Sequence, residues 1–338
     1  MQRAVTMKDV AQKAGVSVMT VSRAFKQHAS VGEETRKRIL QIAEDLGYVF
    51  DSNAATFRSQ RTGFVAVAIP SINNANFADT VGAMSEALKD EDLQVLLGYS
   101  NYDIHEEEGI VEQFLKRRPE AIVLTGGRHT PRTRQLLERA KIPVIETWDL
   151  PDDPIDHVVG FSNAATMHDI VRHLVGTGRS RIAFIGGDTD GDTRGADRRR
   201  GFMAAMEEQG LSTERLIGAG DPPISMREGA AAMSRLLREH PDTEAVVCVS
   251  DLSAFGALTE CARKGVKVPD DIAIAGFGAY DISSICVPTL TTINPHPEEI
   301  GRKTGELIRM LLRGEGAGAK NAVRIGIEPQ LSVGESSR

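Results

Sequence analysis

The residues of this 338-residue chain best suited to chemistry lie in two arginine-bearing stretches. "TGGRHTPRTRQ" (125–135) places Arg128, His129, Thr130 and Arg132 just after an apolar run, where a helical pattern begins, and "DGDTRGADRRRGF" (190–202) adds Arg194 and Arg198. Helix N-termini favour negative charge and guanidinium forks donate to carboxylates, so these residues suit the holding of an anion. Arg132, Arg199 and Arg200 read better as solvated helix residues. Asp188, Asp190 and Asp192 alternate like part of a calcium loop, but the closing glutamate is missing, and no metal is expected. Cys248, Cys261 and Cys286 form no CxxC pair and are expected to be reduced. Neither "AIVLTGG" nor "RIAFIGG" continues as GxGxxG, GxxxxGK[ST] and GxSxG are absent, and no nucleophile stands beside a positioned base. Binding rather than catalysis is expected, with no cofactor.

Both stretches must be carried by a scaffold, and the apolar pattern indicates which. Near-continuous apolar runs recur at 63–70, 93–100, 121–127, 143–148, 157–161, 181–187, 245–250 and 272–277, with helical segments between them. Such runs predict parallel strands covered on both faces, an α/β body of two sheets. Ligands of open α/β sheets bind beyond the carboxyl ends of the strands, where the two arginine stretches fall. The chain shows no apolar stretch long enough to span a bilayer and no export-type apolar region near Met1, which predicts a cytoplasmic protein.

The first 61 residues have a different character. They hold ten Lys/Arg against six Asp/Glu, net +4 on a chain of net −7, so the remainder carries −11. A basic head on an acidic body points to nucleic acid. Within "VTMKDVAQKAGVSVMTVSRAFK" (5–26), Met7, Val10, Ala11 and Ala14 share one helical face, Thr6 can cap that helix, and Gly15 breaks it. Ser17 can cap a second helix with Val21, Ala24 and Phe25 inward and Met19, Ser22, Arg23 and Lys26 on the opposite face. A third helix runs from about Glu33 to Leu46, completing a helix-turn-helix unit.

These head residues, followed by "VGEETRKRILQIAEDLGYV", resemble the DNA-binding head of the lactose/galactose repressor family, and the likeness continues along nearly the whole chain to "PTLTTINPHPEEIGRKTGELI" (288–308). The resemblance implies a helix-turn-helix head (1–49), a hinge helix (50–62) and a periplasmic-binding-protein-like body (63–338) of two doubly wound parallel-sheet subdomains. The chain would cross between these near Phe161–Ser162, near Val287–Asn294 and again around 320. It implies base reading by Val18, Met19 and Arg23, with Thr6, Ser17, Thr20 and Ser22 also at the DNA and Phe57 wedged into the minor groove. Phe50 and Phe57 depart from the family's usual Pro and Leu. In the body it implies that Asn76, Phe77, Phe161, Arg198, Ser250 and Asp251 line the cleft. Gly278 stands where many sugar-binding relatives carry Asp, a loss of negative charge that would suit an anion.

"HTPRT", with "VIETWD" and "VGFSN", resembles the gluconate-operon repressors within the family. The implied protein is a homodimeric repressor of a near-palindromic operator, released by a small sugar acid such as gluconate. A neutral sugar or a nucleobase as effector, or corepression, are the alternatives within the family; a sugar-transport binding protein and a sugar-acid enzyme are more distant.

Overall fold

Apolar spacing builds the head. In a computed structural model describing residues 5–25, 31–49, 62–187, 192–314 and 322–338, the chain divides into two units, Met1–Thr62 and Gly63–Arg338. The first contains helices α1 (Met7–Ala14), α2 (Val18–Ala24) and α3 (Glu33–Asp45). The Asp9 carboxylate accepts from both the N–H and the hydroxyl of Thr6, at 2.8 and 2.6 Å, and so fixes the start of α1. Gly15 ends α1 in the left-handed conformation at φ 63°. Ser17 accepts from the Thr20 N–H at 3.1 Å and caps α2. Val10, Ala11, Ala14, Val21, Ala24, Ile39 and Ala43 form the buried core, with Phe25 and Tyr48 edge-on at 6.0 Å. The Arg36 side chain on α3 donates to the Ala24 carbonyl at 2.9 Å, holding the end of α2 against the third helix.

The second unit is built on two parallel sheets. Strands β1 (Phe64–Ile69), β2 (Gln94–Tyr99), β3 (Ala121–Thr125), β4 (Val144–Thr147) and β5 (His157–Gly160) form the first, joined by β11 (Arg324–Gly326) in the order β11-β5-β4-β3-β1-β2. Helices α4 (Ala75–Leu88), α5 (Ile104–Lys116), α6 (Pro131–Ala140) and α12 (Pro297–Leu312) accompany it. Strands β6 (Ile182–Gly186), β7 (Leu216–Gly218), β8 (Ala245–Cys248) and β9 (Ala273–Ala275) form the second sheet, in the order β7-β6-β8-β9. Its helices are α7 (Thr166–Gly176), α8 (Thr193–Glu208), α9 (Met226–Glu239), α10 (Asp251–Lys264) and the short α11 (Asp281–Ile285). Strand period explains the double burial: Val65, Val67 and Ile69 pack with Met84, Leu88 and Ile308 on one face of β1, while Ala66 and Ala68 pack with Val111, Phe114 and Leu137 on the other.

The chain passes from the first sheet to the second after β5, returns through β10 (Thr292–Asn294), and ends in β12 (Gln330–Ser332), antiparallel to β10. The third crossing differs from its expected place around 320. Because β11 pairs in register with β5 (Arg324 with Val158, Gly326 with Gly160), the chain stays with the first sheet through Gly326 and leaves it only before Gln330. Strands β7, β10, β11 and β12 lie outside the apolar runs; each has three residues, too few for a period to register. Phe57, Lys26, Asp188 and Asp190 lie outside the described residues. No helix among those described is long and apolar enough to cross a membrane.

The head's core is small, so one deletion within it should be decisive. Ile39 is fully buried, and Ile39→Ala is expected to cost roughly 2–5 kcal/mol. Thermal unfolding should then show a lowered or missing transition for the head, with operator binding lost and the body's transition unchanged.

Candidate functional site

A cavity of about 260 Å³ is lined by residues that follow strands of both sheets. From the first come Ser71, Asn73 and Asn74 after β1, Asn76 and Phe77 at the start of α4, Tyr102 after β2 and Trp148 after β4. The second contributes Asp192, Arg194 and Arg198 after β6, Pro222 to Ser225 after β7, Ser250 after β8, and Phe277 and Tyr280 after β9. This is where the topology of open α/β sheets leaves room for a ligand.

Polar bridges span the cleft. Asn76 donates from Nδ2 to the Gly278 carbonyl at 3.0 Å, the Tyr280 hydroxyl to Asn74 Oδ1 at 2.8 Å, and Arg194 to the Thr125 carbonyl at 3.0 Å. Arg128 pairs with Asp197 at 2.8 Å. An aromatic row runs behind these groups: Phe77 edge-on to Trp148 at 5.3 Å, Trp148 to Phe161 at 6.0 Å, and Phe161 to Phe277 at 6.1 Å. Trp148 holds φ 66°, a costly conformation for a bulky residue, while its Nε1 donates to the Thr80 hydroxyl at 3.2 Å.

Charge in the cavity is concentrated on α8. Arg194 and Arg198, four residues apart, lie on one helical face. The Arg194 guanidinium sits over the Phe77 ring at 5.6 Å and that of Arg198 over Phe277 at 4.4 Å. Arg198 donates from Nη1 to Asn163 Oδ1 at 2.6 Å, and Asn163 in turn donates to the Trp148 carbonyl. Asp192 lies 3.9 Å from Arg194 and 4.0 Å from Arg198, beyond hydrogen-bond length. Burial lowers the Arg198 pKa, and burial beside Asp192 raises that of the Tyr102 phenol.

Asn76, Phe77, Arg194, Arg198 and Ser250 thus line the cavity, and five other expected residues do not. His129 is the clearest correction. It is 2 % exposed, its Nδ1 2.6 Å from Glu107 and its Nε2 3.3 Å from Glu146, so it faces two carboxylates inside the first subdomain. Its neighbour Thr130 caps α6 through the Thr133 N–H. Arg128 is half-exposed and committed to Asp197. Asp251 is fully buried behind the wall, where it accepts from the Thr292 hydroxyl at 2.6 Å and the Tyr280 N–H at 3.0 Å and pins the loop after β9 to β10. Burial raises its pKa to about 7. Phe161 belongs to the aromatic row. Gly278 turns its carbonyl to Asn76 at φ 125°, and a Cβ there would meet the Tyr280 ring at 2.3 Å, so Tyr280 occupies the space a side chain would need.

Sequence alone does not single out Tyr102, Trp148, Asp192, Asn74 or Tyr280 as cavity residues. Their signal is positional, since each follows a strand run. In the head, Val18 and Met19 are 42 % and 43 % exposed and Arg23 is exposed beside them, whereas Val21 and Ala24 are buried. Thr6 and Ser17 are exposed, and Thr20 and Ser22 half-buried.

A helix-turn-helix head with one open, cationic helix face, joined in sequence to a two-sheet body with a polar interior cleft, defines a ligand-responsive DNA-binding regulator. Residues 6–51 match the family described as bacterial regulatory proteins, lacI family, and residues 171–337 match the periplasmic binding protein-like domain. The chain is 35 % identical over 310 residues to the HTH-type transcriptional regulator GntR of Pseudomonas aeruginosa, covering 92 % of this chain and 90 % of that protein. It is 29 % identical over 321 residues to the HTH-type transcriptional repressor CytR of Escherichia coli, covering 94 % and 93 %. A crystal structure of a LacI-family transcriptional regulator from Silicibacter pomeroyi superposes with a TM-score of 0.90 at 30 % identity, over 99 % of each chain. The chain belongs to the LacI family of bacterial transcriptional regulators and is a transcriptional repressor. Repressors of this family bind operator DNA and small-molecule effectors, generally as dimers.

The buried His129 trio yields a pH prediction. Burial alone would lower the imidazole pKa, but the hydrogen bond it donates to Glu107 and the nearby Glu146 carboxylate outweigh this and raise it to about 9. A histidine with a raised folded pKa stabilises fully below its unfolded value of 6.5, and this contribution is lost as pH rises through about 9. His129→Gln should therefore cost roughly 3 kcal/mol in urea unfolding at pH 6, with the gap from the parent protein shrinking above pH 9.

Proposed function

We propose that this repressor senses a singly charged polyhydroxy acid of the gluconate kind, bound between the two subdomains. The observation that carries this reading is the cavity's charge: two buried guanidiniums, Arg194 and Arg198, against one carboxylate, Asp192. One negative charge on the ligand balances the set, whereas a neutral sugar leaves a buried cation uncompensated. Hydroxyl-bearing carbons suit the remaining lining, in which Asn73, Asn76 and Ser225 offer hydrogen bonds and Phe77, Trp148 and Phe277 offer flat apolar faces. The likeness of "HTPRT", "VIETWD" and "VGFSN" to gluconate-operon repressors, and the relative named GntR, agree with it. CytR matches over as much of the chain, so the reading rests on the charge of the cleft and not on family membership.

In this proposal the head reads a two-fold operator as one of a pair. Val18, Met19 and Arg23 meet base edges from the exposed face of α2, with Thr6, Ser17, Thr20 and Ser22 at its margins. Phe57 is assigned the minor-groove wedge from sequence. Ligand contacts from both subdomains favour one angle between them, and only a ligand that binds one angle more tightly shifts operator affinity.

Calorimetry of the full chain with gluconate, glucose and adenine tests the effector. Gluconate should bind at least about tenfold more tightly than glucose, a difference of about 1.4 kcal/mol, and should weaken operator binding; tighter binding of glucose or adenine refutes the charge argument. For the head, Arg23→Ala should relax preference at one operator base pair by about 1–3 kcal/mol. Weakening that is equal across all sequences would make Arg23 a phosphate contact.

A further inference from the structure

Two buried polar atoms of cavity-lining residues make no hydrogen bond among the described residues: the acceptor Asp192 Oδ1, whose nearest cation is Arg194 at 3.9 Å, and the donor Arg198 Nε. Both residues line the same cavity, and Arg198 is nine-tenths buried. Unmet buried polar atoms are rare in folded proteins, and where their side chains line a cavity they point to the polarity of what it holds. Here the deficit has two signs. Arg198 needs an acceptor, and Asp192, a carboxylate, needs a donor, while their nearest approach to each other is 4.0 Å.

None of the neighbours that might supply Asp192 reaches it within hydrogen-bond length, Arg194 Nη2 stopping at 3.9 Å. Tyr102 is hydrogen-bonded to the Asn74 side chain, Tyr280 donates to Asn74 Oδ1, and Arg194 donates to the Thr125 carbonyl. Although Asp192 precedes α8, its side chain makes no capping bond to that helix. A carboxylate ligand alone would satisfy Arg198 but set a second anion against Asp192. Resting on the gluconate-type reading above, we propose that Asp192 and Arg198 together select a 2-hydroxy acid: the ligand carboxylate accepts from the Arg198 guanidinium, and the hydroxyl on the adjacent carbon donates to the Asp192 carboxylate. Adjacent carbons suit two side chains whose nearest approach, from Arg198 Nη2 to Asp192 Oδ2, is 4.0 Å. A 2-keto acid presents only lone pairs at that carbon and a 2-deoxy acid presents nothing, so each leaves Asp192 buried and unpaired.

The test is calorimetry of the full-length repressor with gluconate, 2-ketogluconate and 2-deoxygluconate, repeated with Asp192→Asn. The parent protein should prefer gluconate over both analogues by roughly 10- to 100-fold. The side-chain amide of the Asp192→Asn variant can donate as well as accept, so it should bring 2-ketogluconate within about threefold of gluconate. Equal binding of the three acids by the parent protein, or an undiminished preference in a folded Asp192→Asn variant, overturns the assignment and leaves the sugar-acid reading standing. If none of the three acids binds and glucose does, it is that reading which fails, and the assignment fails with it.

Discussion

A guanidinium taken out of water must be paired, and in this repressor two of them are held in one small cavity with a single carboxylate. Arg194 and Arg198 are one helical turn apart on α8, each supported by an aromatic face, and both reach back to the other side of the cleft or to the crossing segment through carbonyl and amide oxygens. These bonds use only part of each fork. What remains faces the cavity, and the chemistry of the site follows from that remainder.

The same demand for partners gives the cleft its closing geometry. The bridges from Asn76 to Gly278, Tyr280 to Asn74, Arg194 to Thr125 and Arg128 to Asp197 each join one subdomain to the other. Asp251 acts from behind: it locks the loop that carries Tyr280 to β10, so a displacement at the cavity wall reaches a strand in the connection between subdomains. The inter-subdomain angle is thus held by hydrogen bonds that tolerate little change in length.

Much of the scaffold is legible in the chain because it rests on local periods. Eight apolar runs correspond to eight strands, and the 3/4/7 spacing in the head corresponds to three helices whose inward residues are the buried ones. Arg194 and Arg198 are legible for the same reason, since a spacing of four puts both on one face. His129 misleads because adjacency to a strand end says nothing about direction. Glu107 lies 22 residues away and Glu146 comes from the next strand, and together they outcompete the cleft for the imidazole. The three-residue strand β11 is invisible to any period, which is why the last crossing is expected too early.

By itself the sequence determined the basic head, the helix-turn-helix, the alternation that demands parallel sheets, and the arginine pair of α8, because each depends on residues within a few positions of one another. The tertiary structure decided which polar groups share the cavity. Asp192, Tyr102, Trp148 and Tyr280 converge from loops tens of residues apart, and whether a buried charge faces a ligand or another side chain depends on which of these comes within hydrogen-bond reach. That is a property of folded distance, which separation along the chain does not encode.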